Sequence, residues 1–473
     1  MGLEVSLQGL LHAFEQGRAM VWLRRLVVAM IIGLLATMWF AYKFNGFSVP
    51  ESMDQAQIGR QLATGQGFTT LYARPLALHL MLARTGTIAS PLPETSQAPL
   101  GPLINAVVLR AGGQSFAPGS DQPIVPAERA ITAVAFLFFA GSLALSYLLG
   151  RWLFDGPLAL IGLGLIIASD LIWRFTFSGL PQMAMLFLFT GALLALARAL
   201  EANEARRRSK SVVMILTAAL LLGLMTLGHG LGLWIFAGFW LYAVAVIRPR
   251  WLVALVAPVV YVLPLLPWAW HNWQALRNPF GLSFYELYRQ PQTDPLALLA
   301  DFEPILRFQA GDFLTNTATQ TLAQAGNLLT YLGGSVVAAA FFFAVFLHVF
   351  QRWQAAQFRW AVLFMWLGAA AGMSVFGVDR SVSVNQLHIL FLPVMIFYGL
   401  AFLLLLASRL GLEQPFLRGA FITLLFLVSS IPLLGTIALK PPLLNWPPYL
   451  PPLISRFSQW VQPGEAIAPD IPW

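Results

Sequence analysis

The sequence predicts an all-α, polytopic membrane protein of about eleven transmembrane helices, with a large first outer loop carrying interfacial helices. Three observations carry that expectation. The 473 residues are 58% hydrophobic and only 10% charged, with mean hydropathy +0.72, whereas soluble domains carry about 25% charged residues. The apolar residues fall in blocks of roughly 17–25, the length that crosses about 30 Å of hydrocarbon at about 1.5 Å per residue. Short basic connections alternate with longer ones that hold most of the acids. A soluble enzyme, a DNA-binding protein and a disordered scaffold are thereby excluded as descriptions of the whole chain. The absence of cysteine excludes disulfides, thiolate nucleophiles and Cys-ligated metals.

Taken in order, the spans are expected near residues 24–43, 130–150, 156–173, 179–199, 211–228, 230–247, 251–270, 328–350, 360–376, 386–408 and 419–439. The first is too long for a signal peptide and lacks a small-residue cleavage pattern, so it counts as a permanent span. The pair flanking Gly228 to Gly232 also reads as one bent hydrophobic region, and Leu100 to Leu109 as a re-entrant segment. Residues 1–439 would form the transmembrane domain, with large outer segments at 44–128 and 271–327. Residues 440–473 would be an outer tail too short to bury its own core, docked on the membrane domain or on another protein. The first outer segment opens with an amphipathic helix from near Ser52, with Ile58 and Leu62 on one face and Gly65-Gln66-Gly67-Phe68 as its stop. Such a helix lies along the membrane interface. Pro91 to Pro102 is expected to be irregular, packed over protein or headgroups.

Orientation follows from charge. With the N-terminus cytoplasmic, the short inner segments hold Arg18, Arg24, Arg25, Arg151, Arg198, Arg206 to Arg208, Lys210, Arg248, Arg250, Arg352, Arg359, Arg409 and Arg418, about 15 of the 28 basic residues. The acids concentrate outside. The net charge of +8 is accounted for by topogenic residues and contact with membrane lipids, and nucleic acid is not an expected partner. This places an integral, multi-pass protein in a membrane of the bacterial inner type, C-terminus outside. The inner loops are too short to fold, so chemistry belongs to the outer side or the membrane. No Walker, GxGxxG, HExxH or GxSxG motif stands at a usable position.

Several polar groups are candidates there. Glu51 and Asp54, three residues apart, share a helical face at the membrane surface, where desolvation can raise a carboxylate toward general-base duty. They read equally as first-turn acids favoured by the helix dipole, with Ser52 as a cap. Asp170 and Arg174 can pair across one turn at the outer end of a span, which alone would lower the cost of charge at that depth. His229 sits between Gly228 and Gly230, glycines that admit a ligand closely. His271, Asn272 and Arg277 follow the tryptophans of Pro267-Trp268-Ala269-Trp270. A cationic fork beside aromatic rings suits a lipid phosphate, and Arg380 and His388 are further donors at that depth, or plain interface anchors.

The order of these features resembles the membrane glycosyltransferases of the GT-C superfamily, in the branch of protein O-mannosyltransferases and bacterial aminoarabinose transferases. The shared features run through nearly the whole chain. They are one span, an acidic segment leading into Ile58-Gly59-Arg60-Gln61-Leu62-Ala63-Thr64-Gly65, Glu128-Arg129 before a run of spans, the Ser178-Gly179-Leu180-Pro181 turn, Pro267-Trp268 to Asn272 with Asn278-Pro279-Phe280-Gly281, and Leu390 to Pro393. The resemblance implies inverting transfer of a sugar from a polyprenyl-phosphate-linked donor to an acceptor on the outer face. An acid of the first loop would take the acceptor's proton while basic groups hold the departing phosphate. Family spacing back from Ile58-Gly59-Arg60 lands on Glu51, whereas Met53-Asp54-Gln55-Ala56-Gln57 is similar to a bacterial subgroup with the acid at Asp54. Asp54 is favoured. Asp170 would orient the site, and Arg60, Arg174, His271, Arg277 and Arg380 would contact phosphate or sugar, with His229, Asn272 and His388 as further binding candidates. Gln182 and His271 stand where members often carry Glu and Arg.

No cofactor is firmly implied. A divalent metal is left open, with six His but no clustered acid partner to build on. Besides the donor, a membrane protein partner could meet the outer loops or the tail. Two other functions are compatible with the same pattern: a catalytically degenerate GT-C-like subunit of a membrane complex, and a transporter, which would need polar residues along a midplane path.

Overall fold

The computed structural model describes residues 44–112, 126–288, 308–347 and 352–438, less the single positions 45, 48, 73, 89, 379 and 413. The chain divides at Gly46, and the description below concerns the unit from Phe47 onward. The expected first span at 24–43 and the tail at 440–473 lie outside the described residues.

The first loop contains α1 (Pro50–Ala63), β1 (Thr69–Thr70), α2 (Pro75–Thr85), β2 (Leu92–Pro93) and α3 (Leu100–Gly112). It is followed by α4 (Pro126–Leu153), α5 (Gly156–Ile167), α6 (Asp170–Ser178), α7 (Gln182–Glu204), α8 (Arg208–Thr226), α9 (Gly232–Val246), α10 (Arg250–Val262) and α11 (Leu266–Leu276). The last group is α12 (Ala310–Gly326), α13 (Leu328–Tyr331), α14 (Val336–Leu347), α15 (Trp353–Phe376), α16 (His388–Arg409) and α17 (Pro415–Ala438).

The fold is all-α, as expected. Seven helices among the described residues are long and apolar enough to cross a membrane, or eight if α5 and α6 count as one broken span. That pair corrects the straight span expected at 156–173. The chain bends by 59° between Ile167 and Asp170, where Ser169 leaves the helical path and Asp170 opens a new helix. The apolar run around Gly228 resolves into two helices, α8 and α9, and α10 continues through one 3-10 turn into α11 as a single span, Arg250–Leu276. Leu100 to Leu109 is the core of α3, a 13-residue helix that packs lengthwise on α1.

Three local expectations are also revised. Helix α1 begins at Pro50 with Val49 as its N-cap, and the Ser52 hydroxyl donates to the Val49 carbonyl (2.6 Å) instead of capping. Proline at the first helical position sacrifices only an N–H that has no helical partner. The amphipathicity of α1 is unusual: its buried face holds Ser52, Asp54 and Gln55 beside Ala56, Ile58 and Gly59. The Pro-rich stretch contains β2, antiparallel to β1 with Thr70 opposite Leu92.

The core is centred on α7 and α16, with 72% and 67% of their most apolar windows buried, whereas α17 has 6% and lies outermost. The α14–α16 approach is close enough that a Cβ on Gly399 would strike the Val337 carbonyl. Side-chain contacts separate the two ends of the bundle. At one end Arg352 donates to the Trp152 carbonyl (2.9 Å), Gln354 meets Glu204, and Asn203 meets Val246. At the other, the Leu100 amide donates to Leu227 (2.7 Å) and Gln182 donates to Ser383 and Val384 (3.3 and 3.0 Å). The first loop is seated on this second end.

Candidate active site on the first loop

Helical periodicity from Pro50 turns Asp54, Gln55, Ile58 and Gly59 inward together. After α1 the chain reverses through Gly65 and Gly67, both at positive φ (81° and 77°), a conformation that costs glycine little. The reversal leads into the β1–β2 pair, whose two exits place Arg74 and Glu94 against Asp54. Arg74 Nη2 lies 2.6 Å from Asp54 Oδ2 and 2.6 Å from Glu94 Oε2, and Nε donates to Glu94 Oε2 at 3.2 Å.

The two carboxylates are held differently. Glu94 is fully engaged, since Oε1 also accepts the backbone N–H groups of Ser96 (2.5 Å) and Gln97 (2.9 Å). In Asp54, Oδ2 accepts from Arg74 and from Gln97 Nε2 (3.0 Å), while among the described residues Oδ1 has only a 3.4 Å contact from Gln57 Nε2, which bonds more closely to Thr70 Oγ1 (2.7 Å). A contact of that length is weak, so Oδ1 has capacity for another donor. Asp54 is 2% exposed and Glu94 0%. Burial works against the Arg74 charge, but Glu94 and Asp54 more than offset it and raise its pKa above the usual arginine value. Two carboxylates and one guanidinium leave the cluster one negative charge.

Helix α11 and the turn after it wall this cluster. His271 Nε2 lies 2.8 Å from the Glu94 carbonyl, so that nitrogen carries the proton and donates, and the ring meets Phe68 edge-on at 5.3 Å. Asn272 is fully buried and donates to the Pro279 carbonyl (3.3 Å). The turn that follows brings Gly281 against Thr95: its φ is +64°, and a Cβ there would sit 2.1 Å from the Thr95 carbonyl. Asn278-Pro279-Phe280-Gly281 is thus the clasp between α11 and the Glu94 segment. Arg84 adds a second clasp, donating to the Gln274 and Ala275 carbonyls (2.7 and 3.0 Å).

The other sequence candidates take separate positions. Glu51 is half-buried in the first turn of α1, with Oε2 buried and without a hydrogen-bond partner among the described residues, and Arg60 is half-buried in its last turn. Arg277 ends α11 in the left-handed conformation (φ 56°) with its side chain exposed, and Arg380 is exposed between α15 and α16. Neither has a hydrogen bond or ion pair with a described residue. Asp170 is buried (8%) at the break before α6, while Arg174 is exposed.

The other two candidate histidines, His229 and His388, are hydrogen-bonding groups in their surroundings. His229 accepts from the Leu231 amide (3.2 Å), and burial pushes its pKa down to about 4, with a hydrogen bond to Asn385 acting the other way. His388 is 1% exposed, stacked on Tyr331 and accepting from Trp366 Nε1 at 3.0 Å.

Arg74, Glu94 and Gln97 are the site residues that spacing alone did not single out. Among the described residues no three His, Asp or Glu are grouped to hold a metal ion, and the carboxylates nearest that role give their oxygens to Arg74. The donor set does not fit a resident divalent metal.

No protein-family profile matches the chain, and no curated protein matches it. Among solved structures it is similar to the Archaeoglobus fulgidus oligosaccharyltransferase tethered with an acceptor peptide containing the NVT sequon, at 16% identity and TM-score 0.50, over 86% of this chain and 51% of that one. It is also similar to the oligosaccharyltransferase AglB of the same organism in complex with an inhibitory peptide and a dolichol-phosphate (14%, TM-score 0.49, 86% and 52%). A third similar structure is ArnT from Cupriavidus metallidurans bound to undecaprenyl phosphate (13%, TM-score 0.49, 90% and 75%). The chain spans about half the length of the archaeal protein. The likeness to the first of these structures is one of fold: an all-α bundle of many apolar helices, the architecture expected from the sequence.

Proposed function

We propose that this chain transfers a sugar from a polyprenyl-phosphate carrier to an acceptor at the outer face of the membrane, with Asp54 as general base. One observation carries the reading: a buried carboxylate is anchored through Oδ2 by Arg74 and Gln97 while Oδ1 keeps an open lone pair. The first-loop position of this acid on an oligosaccharyltransferase-like fold supports the reading further. Asp54 Oδ1 takes the proton of the acceptor's nucleophilic group as that atom attacks the anomeric carbon. The bond from that carbon to the phosphate oxygen breaks with inversion, and its electron pair leaves on the polyprenyl phosphate. Arg277 and Arg380, exposed and uncommitted to any described residue, are the cations suited to that phosphate. His229, neutral near pH 7, can only meet a sugar or phosphate as a hydrogen-bonding group.

The test is release of polyprenyl phosphate by the full chain in nanodiscs, given undecaprenyl-phosphate-linked hexoses and an outer-membrane and peptide acceptor pool. Acceptor-dependent release is expected. Well-folded wild-type protein that releases none from any donor would favour the catalytically degenerate subunit.

A further inference from the structure

We propose that Arg74 is the built-in cation of this site, occupying the position between Asp54 and Glu94 that a divalent metal would require. Divalent ions of the magnesium and manganese class are bound by one or two carboxylates completed with water or substrate oxygens. Asp54 and Glu94 are that donor pair, buried and converging on one point. The point is held by a guanidinium nitrogen 2.6 Å from each carboxylate.

The surroundings favour the organic cation. Glu94 commits its second oxygen to two backbone N–H groups, so it cannot turn to chelate. His271, whose ring stands beside the Glu94 segment, gives its Nε2 to a carbonyl. Arg74 is itself fixed at both ends: its backbone is the N-cap of α2, followed by Pro75, and its planar fork cannot lose its proton at ordinary pH. A lysine would offer a point charge without the fork, and a metal would pull both carboxylates off their present partners. Arg74 is therefore a positioning residue. It holds Asp54 by one oxygen and leaves the other for the acceptor. The role in catalysis rests on the function proposed above, but occupancy of the cation position does not.

Manganese binding to the full-length protein in nanodiscs, followed by the electron paramagnetic resonance of free Mn2+, separates the two. Wild type is expected to show no binding that Asp54→Asn abolishes, and Arg74→Gln is expected to acquire about one Mn2+ site per chain. In the transfer assay, EDTA should leave the wild-type rate unchanged, and Arg74→Lys should recover only part of the activity lost in Arg74→Gln. The proposal is overturned by Mn2+ binding to wild type that Asp54→Asn removes, or by a monodisperse Arg74→Gln protein that binds no Mn2+. If Arg74→Gln does not fold, the wild-type comparison with Asp54→Asn decides alone. Absence of transfer by a wild type that also binds no Mn2+ would count against the functional reading and leave this one standing.

Discussion

Arg74 joins two carboxylates that have almost no access to water, so its removal leaves two buried charges facing one another. Losing one partner of a buried ion pair costs about 3–5 kcal/mol; because the Arg74 side chain keeps 16% exposure, Arg74→Ala is expected to destabilise by about 3 kcal/mol, the lower end. Thermal unfolding in detergent measures it, and a change below about 1 kcal/mol, the size of a surface pair, would contradict the buried geometry. His229 gives a pH dependence. Its pKa of about 4 lies below the ordinary 6.5, so the folded state binds fewer protons than the unfolded state between those values. Its contribution is present above pH 6.5 and lost as pH falls toward 4, and His229→Gln should flatten the acid limb of a stability-against-pH curve. An unchanged limb would show that His229 is not buried as neutral imidazole. At this scale Asp54 was legible, because helical spacing puts acid and Ile58 in defined relation. Arg74 and Glu94 were not, because they lie 20 and 40 residues beyond Asp54 on segments without helical period, joined by a two-residue strand pair.

Helices α1 and α3 touch through glycine. A Cβ on Gly59 would stand 2.6 Å from Asn105 Cβ and 3.1 Å from the Pro102 carbonyl. Overpacking of this kind costs about 1–3 kcal/mol, and here the displaced helix is the one that carries Asp54. Gly59→Ala is expected to lower both thermal stability and the transfer rate, whereas Gly65→Ala, which meets nothing within 4 Å but has φ +81°, should lower stability with a smaller effect on rate. Equal rates in wild type and Gly59→Ala would mean that α1 need not be held where it is. Apolar runs revealed the long helices because length and hydropathy alone decide a membrane crossing. They concealed the 59° break before Asp170, since apolar side chains continue on both sides of it; Gly333 packs against Ser169 and Leu171 there.

Across the molecule, the alternation of basic and acidic connections agrees with the two ends that side-chain contacts define: Arg352, Glu204 and Arg248 group at one, the Asp54 cluster at the other. The chain lacks cysteine, so single introduced thiols report sidedness without background. Arg380→Cys is expected to react with an impermeant maleimide from outside intact cells and Lys210→Cys only after lysis; the reverse pattern would invert the orientation and place the site on the cytoplasmic face. The architecture was readable from composition because the bilayer imposes it on every span, but the site is made where irregular loops meet helix ends, and no periodicity describes such a meeting. The claim on which the functional reading turns is that Asp54 accepts the proton. Its most direct test is the rate of sugar transfer by Asp54→Asn beside Glu51→Gln. A loss of at least about 100-fold is expected for Asp54→Asn, with donor binding retained and Glu51→Gln within a few-fold of wild type; transfer by Asp54→Asn at the wild-type rate would contradict it.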